Sequence, residues 1–76
     1  MTNAEIKPYL VDFGKRVRHV RLQMVMSQRD LDRRCHVGYR FISELELGKE
    51  NPSLATVVRL ADGLGCDLAD LFPPAG

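Results

Sequence analysis

Tyr39, Arg40, Ser43 and Glu44 stand at i, i+1, i+4 and i+5, a spacing that places all four on one outward stripe if the segment is helical. Their chemistry suits the edges of nucleic-acid bases. An arginine fork can bond O6 and N7 of guanine, a glutamate can accept from cytosine N4, and a tyrosine can touch a thymine methyl or a phosphate. An intrahelical pair between Arg40 and Glu44 on a solvated face explains the same spacing. The two readings coexist if Glu44 orients Arg40.

The distribution of charge bears on that choice. Net charge is only +1, yet residues 15–40 carry Lys15, Arg16, Arg18, Arg21, Arg29, Arg33, Arg34 and Arg40 against Asp30 and Asp32, a local net of +6. Residues 41–76 are net −4 and residues 1–14 net −1. One end of the molecule should therefore attract polyanions. A basic cluster alone also describes an ordinary solvated surface, so the elements must bring the cations to one face.

Other chemistries find little support. The Ser, His and Asp residues fall on separate segments with no nucleophile elbow, so no enzyme is expected. Cys35-His36 invites a metal, but Cys66 and His19 stand alone and no four-ligand spacing exists, so no metal or cofactor is expected. Two cysteines in this setting read as free thiols of a reducing compartment. A chain of 76 residues with 45% hydrophobic content makes one domain, 1–76, with its core over about 9–72. Its apolar runs are too short for a bilayer, and Thr2, Asn3, Glu5 and Lys7 interrupt any apolar signal segment, so a cytoplasmic location is expected.

Apolar residues recur at helical spacing throughout and strand alternation is absent, which predicts an all-α fold. A first helix over roughly Pro8 to Met24 would carry Leu10, Phe13, Val17, Val20 and Met24 as its inward stripe. Ser27 with Asp30 is a capping-box start for a second helix ending near Cys35. His36-Val37-Gly38 then turns, Gly38 caps a third helix stapled by Val37 and Ile42, and Ile42 and Leu45 face inward. Phe41 reads as packing. Gly48 stops that helix, and Ser53 caps a fourth whose core face would be Leu54, Val57, Val58, Leu60, Ala61 and Leu64. Asp67 and Asp70 cap a last short helix bearing Leu68, Leu71 and Phe72, and Pro73-Pro74 ends it.

Several stretches in register resemble the Cro and phage-repressor (Xre-type) helix-turn-helix family. They are Phe13-Gly14-Lys15-Arg16-Val17-Arg18, Met26-Ser27-Gln28-x-x-Leu31, Ile42-Ser43-x-Leu45-Glu46-x-Gly48, Asn51-Pro52-Ser53-Leu54-x-Thr56-Val57, and Leu60-Ala61-x-x-Leu64-Gly65 through Asp70-Leu71-Phe72. The resemblance implies a five-helix, lambda-repressor-like domain whose second and third helices form the motif, with the third entering the DNA major groove. It makes Tyr39, Arg40, Ser43 and Glu44 the base-reading positions and Gln28 a phosphate contact, with Arg16, Arg18, Arg29 and Lys49 as further phosphate candidates. It also implies that Arg21 pairs with Glu46, locking the first helix to the end of the third.

Three residues depart from the family pattern. His36 stands where glycine usually takes a left-handed turn, Val25 stands where glycine commonly ends the first helix, and Asp32 stands where alanine is preferred. The carboxylate of Asp32 would have to reach solvent or a cation such as Arg29 or Arg33. The implied function is sequence-specific transcriptional regulation, as a repressor, by a homodimer pairing through its C-terminal helices on a (pseudo)palindromic operator. The protein would be bacterial or phage-borne and nucleoid-associated. The competing reading is an antitoxin-like or adaptor module that uses the same fold for protein interaction, against which the basic half of the chain argues.

Overall fold

Short polar side chains set where the helices begin, because the first backbone amides of a helix have no partner within it. In the computed structural model, which describes residues 2–72, there are four α-helices: α1 (Asn3–Gln23), α2 (Gln28–Cys35), α3 (Tyr39–Glu46) and α4 (Leu54–Leu64). The Thr2 hydroxyl accepts from the Glu5 amide at 3.2 Å and Ser53 from Thr56 at 3.2 Å. Ser27 accepts from the Asp30 amide at 3.0 Å while the Asp30 carboxylate accepts from the Ser27 amide at 2.8 Å. Those bonds hold the Asp30 carboxyl below its ordinary range. The expected fifth helix is a single 3-10 turn, Leu68–Leu71, where Asp70 accepts from the Asp67 amide at 3.0 Å. The Pro73-Pro74 stop lies outside the described residues.

The start of α1 departs from the sequence reading by five residues. Pro8 is not its first residue but lies inside the helix. The amide that proline lacks would have bonded the carbonyl of Ala4, which is exposed and so open to solvent. Thr2 supplies the true cap.

One apolar cluster runs through every element. Phe13, Val17 and Val20 of α1 meet Leu31 and Cys35 of α2, Ile42 and Leu45 of α3, Val57, Leu60, Ala61 and Leu64 of α4, and Leu71 of the closing turn. Burial of the Cys35 thiol pushes its pKa up. Four residues read as core lie outside it: Leu10 is half-buried, and Met24, Leu54 and Val58 are 48%, 70% and 50% exposed. Leu54 and Val58 share an i, i+4 row beside the buried stripe of α4. Met24 is displaced because α1 ends at Gln23 and the chain reverses, which sends Met26 into the core instead.

That reversal runs through Val25 at φ 57°, a left-handed conformation that a β-branched residue adopts only under strain. Val25 is 90% exposed, so its side chain contributes little packing. Val25→Gly should raise stability by about 1 kcal/mol, a gain of about 4–8 °C in Tm. A melting temperature at or below that of the parent would show that the turn is relaxed.

The helices of the motif are joined by an equally tight turn. His36 closes α2 at φ 55° and ψ 40°, its amide donating to the Asp32 carbonyl at 2.8 Å. Asp32 reaches neither solvent alone nor an arginine. Its Oδ1 accepts from the Gly38 amide at 2.8 Å, so a carboxylate of α2 bonds the N-cap residue of α3, whereas Arg33 pairs with Asp30 at 2.8 Å.

At its other end α3 is pressed onto α1. A Cβ on Gly14 would collide with the carbonyl oxygens of Leu45 and Glu46. Just past α3, Gly48 turns at φ 76°, where a Cβ would meet Val11 Cγ2 at 2.7 Å. Closing the molecule, Arg16 Nε donates to the Asp70 carbonyl at 2.6 Å and the Phe13 and Phe72 rings lie 5.5 Å apart. Among the described residues no helix is long and apolar enough to cross a membrane.

Candidate nucleic-acid interface

The eight residues of α3 divide into two faces. Ile42, Leu45 and Glu46 are buried and Phe41 packs half-buried against the core. Tyr39 and Arg40 are exposed, and Ser43 and Glu44 are half-buried beside them. These four therefore share one accessible surface on the first two turns of the helix. Among the described residues Arg40 makes no ion pair, and the Glu44 carboxylate lies nearest Lys49 Nζ, at 3.9 Å. At that distance and exposure the Glu44–Lys49 contact is weak. No described residue occupies the fork of Arg40.

The start of α2 meets this surface. The Arg29 guanidinium lies 4.4 Å from the centroid of the Tyr39 ring, a cation–π contact joining the first turns of both helices. Gln28 Nε2 donates to Glu46 Oε1 at 3.1 Å, which engages one N–H of its amide within the protein. Arg18 is exposed on α1. Arg16, held by the Asp70 carbonyl, belongs to the side of the closing turn.

Behind the surface sits a buried ion pair. Arg21 Nε and Glu46 Oε2 are 2.7 Å apart, Arg21 Nη2 and Glu46 Oε1 2.9 Å, and the side chains are 8% and 3% exposed. Arg21 Nη1 also donates to the Met26 carbonyl at 2.7 Å. This parallel fork is the strong form of the arginine–carboxylate contact, and the Glu46 carboxylate raises the arginine's pKa. One arginine thereby ties α1 to the last residue of α3 and to the loop that leads into α2.

Two helices at a tight turn, the second exposing a polar first turn and anchored at its far end, match the helix-turn-helix family model over residues 17–71. The chain belongs to the helix-turn-helix family. Among its relatives, this helix-turn-helix chain is 37% identical over 62 residues to the uncharacterized HTH-type transcriptional regulator y4mF of Sinorhizobium fredii, covering 82% of each. It is 37% identical over 61 residues to control protein C.BamHI of Bacillus amyloliquefaciens, covering 79% of this chain and 75% of that protein. The crystal structure of the restriction-modification controller protein C.AhdI of Aeromonas hydrophila superposes with a TM-score of 0.83 at 31% identity, covering 86% of this chain and 98% of that one.

Some contacts of the helix-turn-helix unit were not foreseen from sequence. The Asp32–Gly38 bond spans six residues across a turn, although an aspartate four residues before such a turn is a usable signal for it. The Met26 carbonyl as third partner of Arg21 and the stacking of Arg29 on Tyr39 depend on tertiary placement and leave no local pattern.

Proposed function

We propose that this chain is a DNA-binding transcriptional regulator, a repressor, that places α3 in the major groove and acts as a homodimer on a (pseudo)palindromic operator. The observation that carries this reading is α3 itself, fixed at its C-terminal end by Gly14 and the Arg21–Glu46 pair while its first turns hold out Tyr39, Arg40, Ser43 and Glu44. These are the residues assigned to base edges. Arg18 and Lys49 are assigned to phosphates. Gln28 and Arg16 each use one N–H on Glu46 and Asp70 and keep their remaining donors for phosphates, and the amides at the start of α2 favour an anion in any case. Similarity to a restriction-modification controller and to regulators of transcription supports the reading.

A dimer follows from reach and affinity, since paired half-sites lie about 34 Å apart and one small head binds weakly. The exposed Leu54, Val58, Leu68 and Phe72 of α4 and the closing turn offer the apolar surface for pairing. The protein works in the cytoplasm, at the nucleoid, and has no catalytic role.

Selection from a random duplex pool should yield a preferred operator with two-fold symmetry. For about six phosphate contacts across a dimer, affinity should fall about 10³-fold between 50 and 200 mM salt. A flat salt response would remove DNA as the partner and leave protein interaction as the function. Arg40→Ala should cost about 1–3 kcal/mol on the selected operator and leave random duplex nearly unaffected. Arg18→Ala should weaken both alike and lower the salt slope by about one. Equal losses on both duplexes for Arg40→Ala would make that residue a phosphate contact.

A further inference from the structure

The family resemblance makes Arg29 a candidate phosphate contact, but its placement is not that of a free cation. Its guanidinium lies over the Tyr39 ring at 4.4 Å. Stacking uses the flat face of the guanidinium and leaves the N–H donors around its edge available. Among the described residues no hydrogen bond or ion pair takes those donors, whereas the neighbouring Arg33 is engaged by Asp30. The contact is possible because the Asp32–Gly38 bond and the left-handed His36 set the two helix starts face to face. An arginine drawn over the first residue of α3 is drawn toward whatever α3 reads.

We propose that Arg29 is a positioning and specificity residue of the reading surface: by stacking on Tyr39 it holds that ring against the C5 methyl of a thymine and turns its own N–H edge toward a neighbouring base. This rests on the DNA-binding reading above and deepens it. The ring then acts as an oriented apolar face rather than as a mobile side chain, and the pair from two helices reads DNA as one unit. A single phosphate contact would need only the charge of Arg29.

The test uses the full chain and the duplex it selects. Arg29→Ala should weaken the selected duplex roughly tenfold and change random duplex less than about twofold, with the salt slope kept. Arg29→Lys, which retains the charge but not the planar fork, should behave like Arg29→Ala. Replacing thymines one at a time by deoxyuridine should reveal a position where the wild type loses about fourfold, the worth of one methyl group. That sensitivity should vanish in Arg29→Ala and in Tyr39→Ala alike. Matching melting temperatures for the variants exclude a folding defect, since both side chains are exposed.

Equal losses on both duplexes with a shallower salt slope, rescued by lysine, would overturn the proposal, as would methyl sensitivity that survives Arg29→Ala or is absent in the wild type. Failure of the wild type to bind any duplex is a separate result, and it would remove the DNA-binding reading itself.

Discussion

Glu46→Ala should destabilise the protein by about 3–5 kcal/mol, because it leaves the Arg21 guanidinium in the interior without its anion. The side chains are 8% and 3% exposed and doubly hydrogen-bonded, so solvent cannot take over from the lost carboxylate. Only the Met26 carbonyl would remain as a partner for Arg21, and Gln28 would lose its acceptor. In a domain of this size the loss corresponds to a fall in Tm of at least about 12 °C. The double variant Arg21→Met/Glu46→Leu should recover most of it, since replacing both charges removes the desolvation penalty with the attraction. Thermal melts of the parent, both single variants and the double variant decide. A single variant that melts with the parent would show that water reaches the pair and that α1 and α3 hold together without it.

Gly14→Ala should also destabilise, by about 3 kcal/mol, although the same change on an exposed helix face would stabilise by about 1 kcal/mol. The sign is set by α3. The added Cβ has no space against the carbonyl oxygens of Leu45 and Glu46, and backbone atoms cannot step aside as a flexible side chain can. Relief requires α1 and α3 to separate at the point where Arg21 reaches Glu46, so overpacking and loss of the ion pair arrive together. Denaturant titration measures the effect, and a Gly14→Ala protein as stable as the parent would mean that the two helices slide apart freely.

The parts of the fold legible in sequence are those decided within a few residues. The Ser27–Asp30, Ser53–Thr56 and Asp67–Asp70 starts are local chemistry between side chains and nearby amides, and spacing alone reveals them. The left-handed stop at Gly48 was legible for a similar reason, whereas that at His36 was implied only by the family resemblance. Pro8 misled because proline marks a helix start only where no earlier residue can cap, and Thr2 can. Leu54 and Val58 misled because an apolar side chain at helical spacing does not say which neighbour covers it. At the candidate interface, sequence spacing indicated that Tyr39, Arg40, Ser43 and Glu44 share a side of α3. What each residue touches was not legible: Glu44 lies near Lys49, Asp32 bonds the Gly38 amide and Arg29 stacks on Tyr39. Those partners come from other helices or from across a turn.

α3 separates its duties along its length and around its circumference. Ile42, Leu45 and Glu46 hold it in the molecule, while Tyr39 and Arg40 support no part of the core. Surface positions of that kind tolerate replacement within about 0.5 kcal/mol. On the proposed function, the residues assigned to base edges are therefore replaceable without rebuilding the scaffold. A library randomised at these exposed positions should keep a nearly fixed melting temperature while its duplex preferences, on that proposal, change.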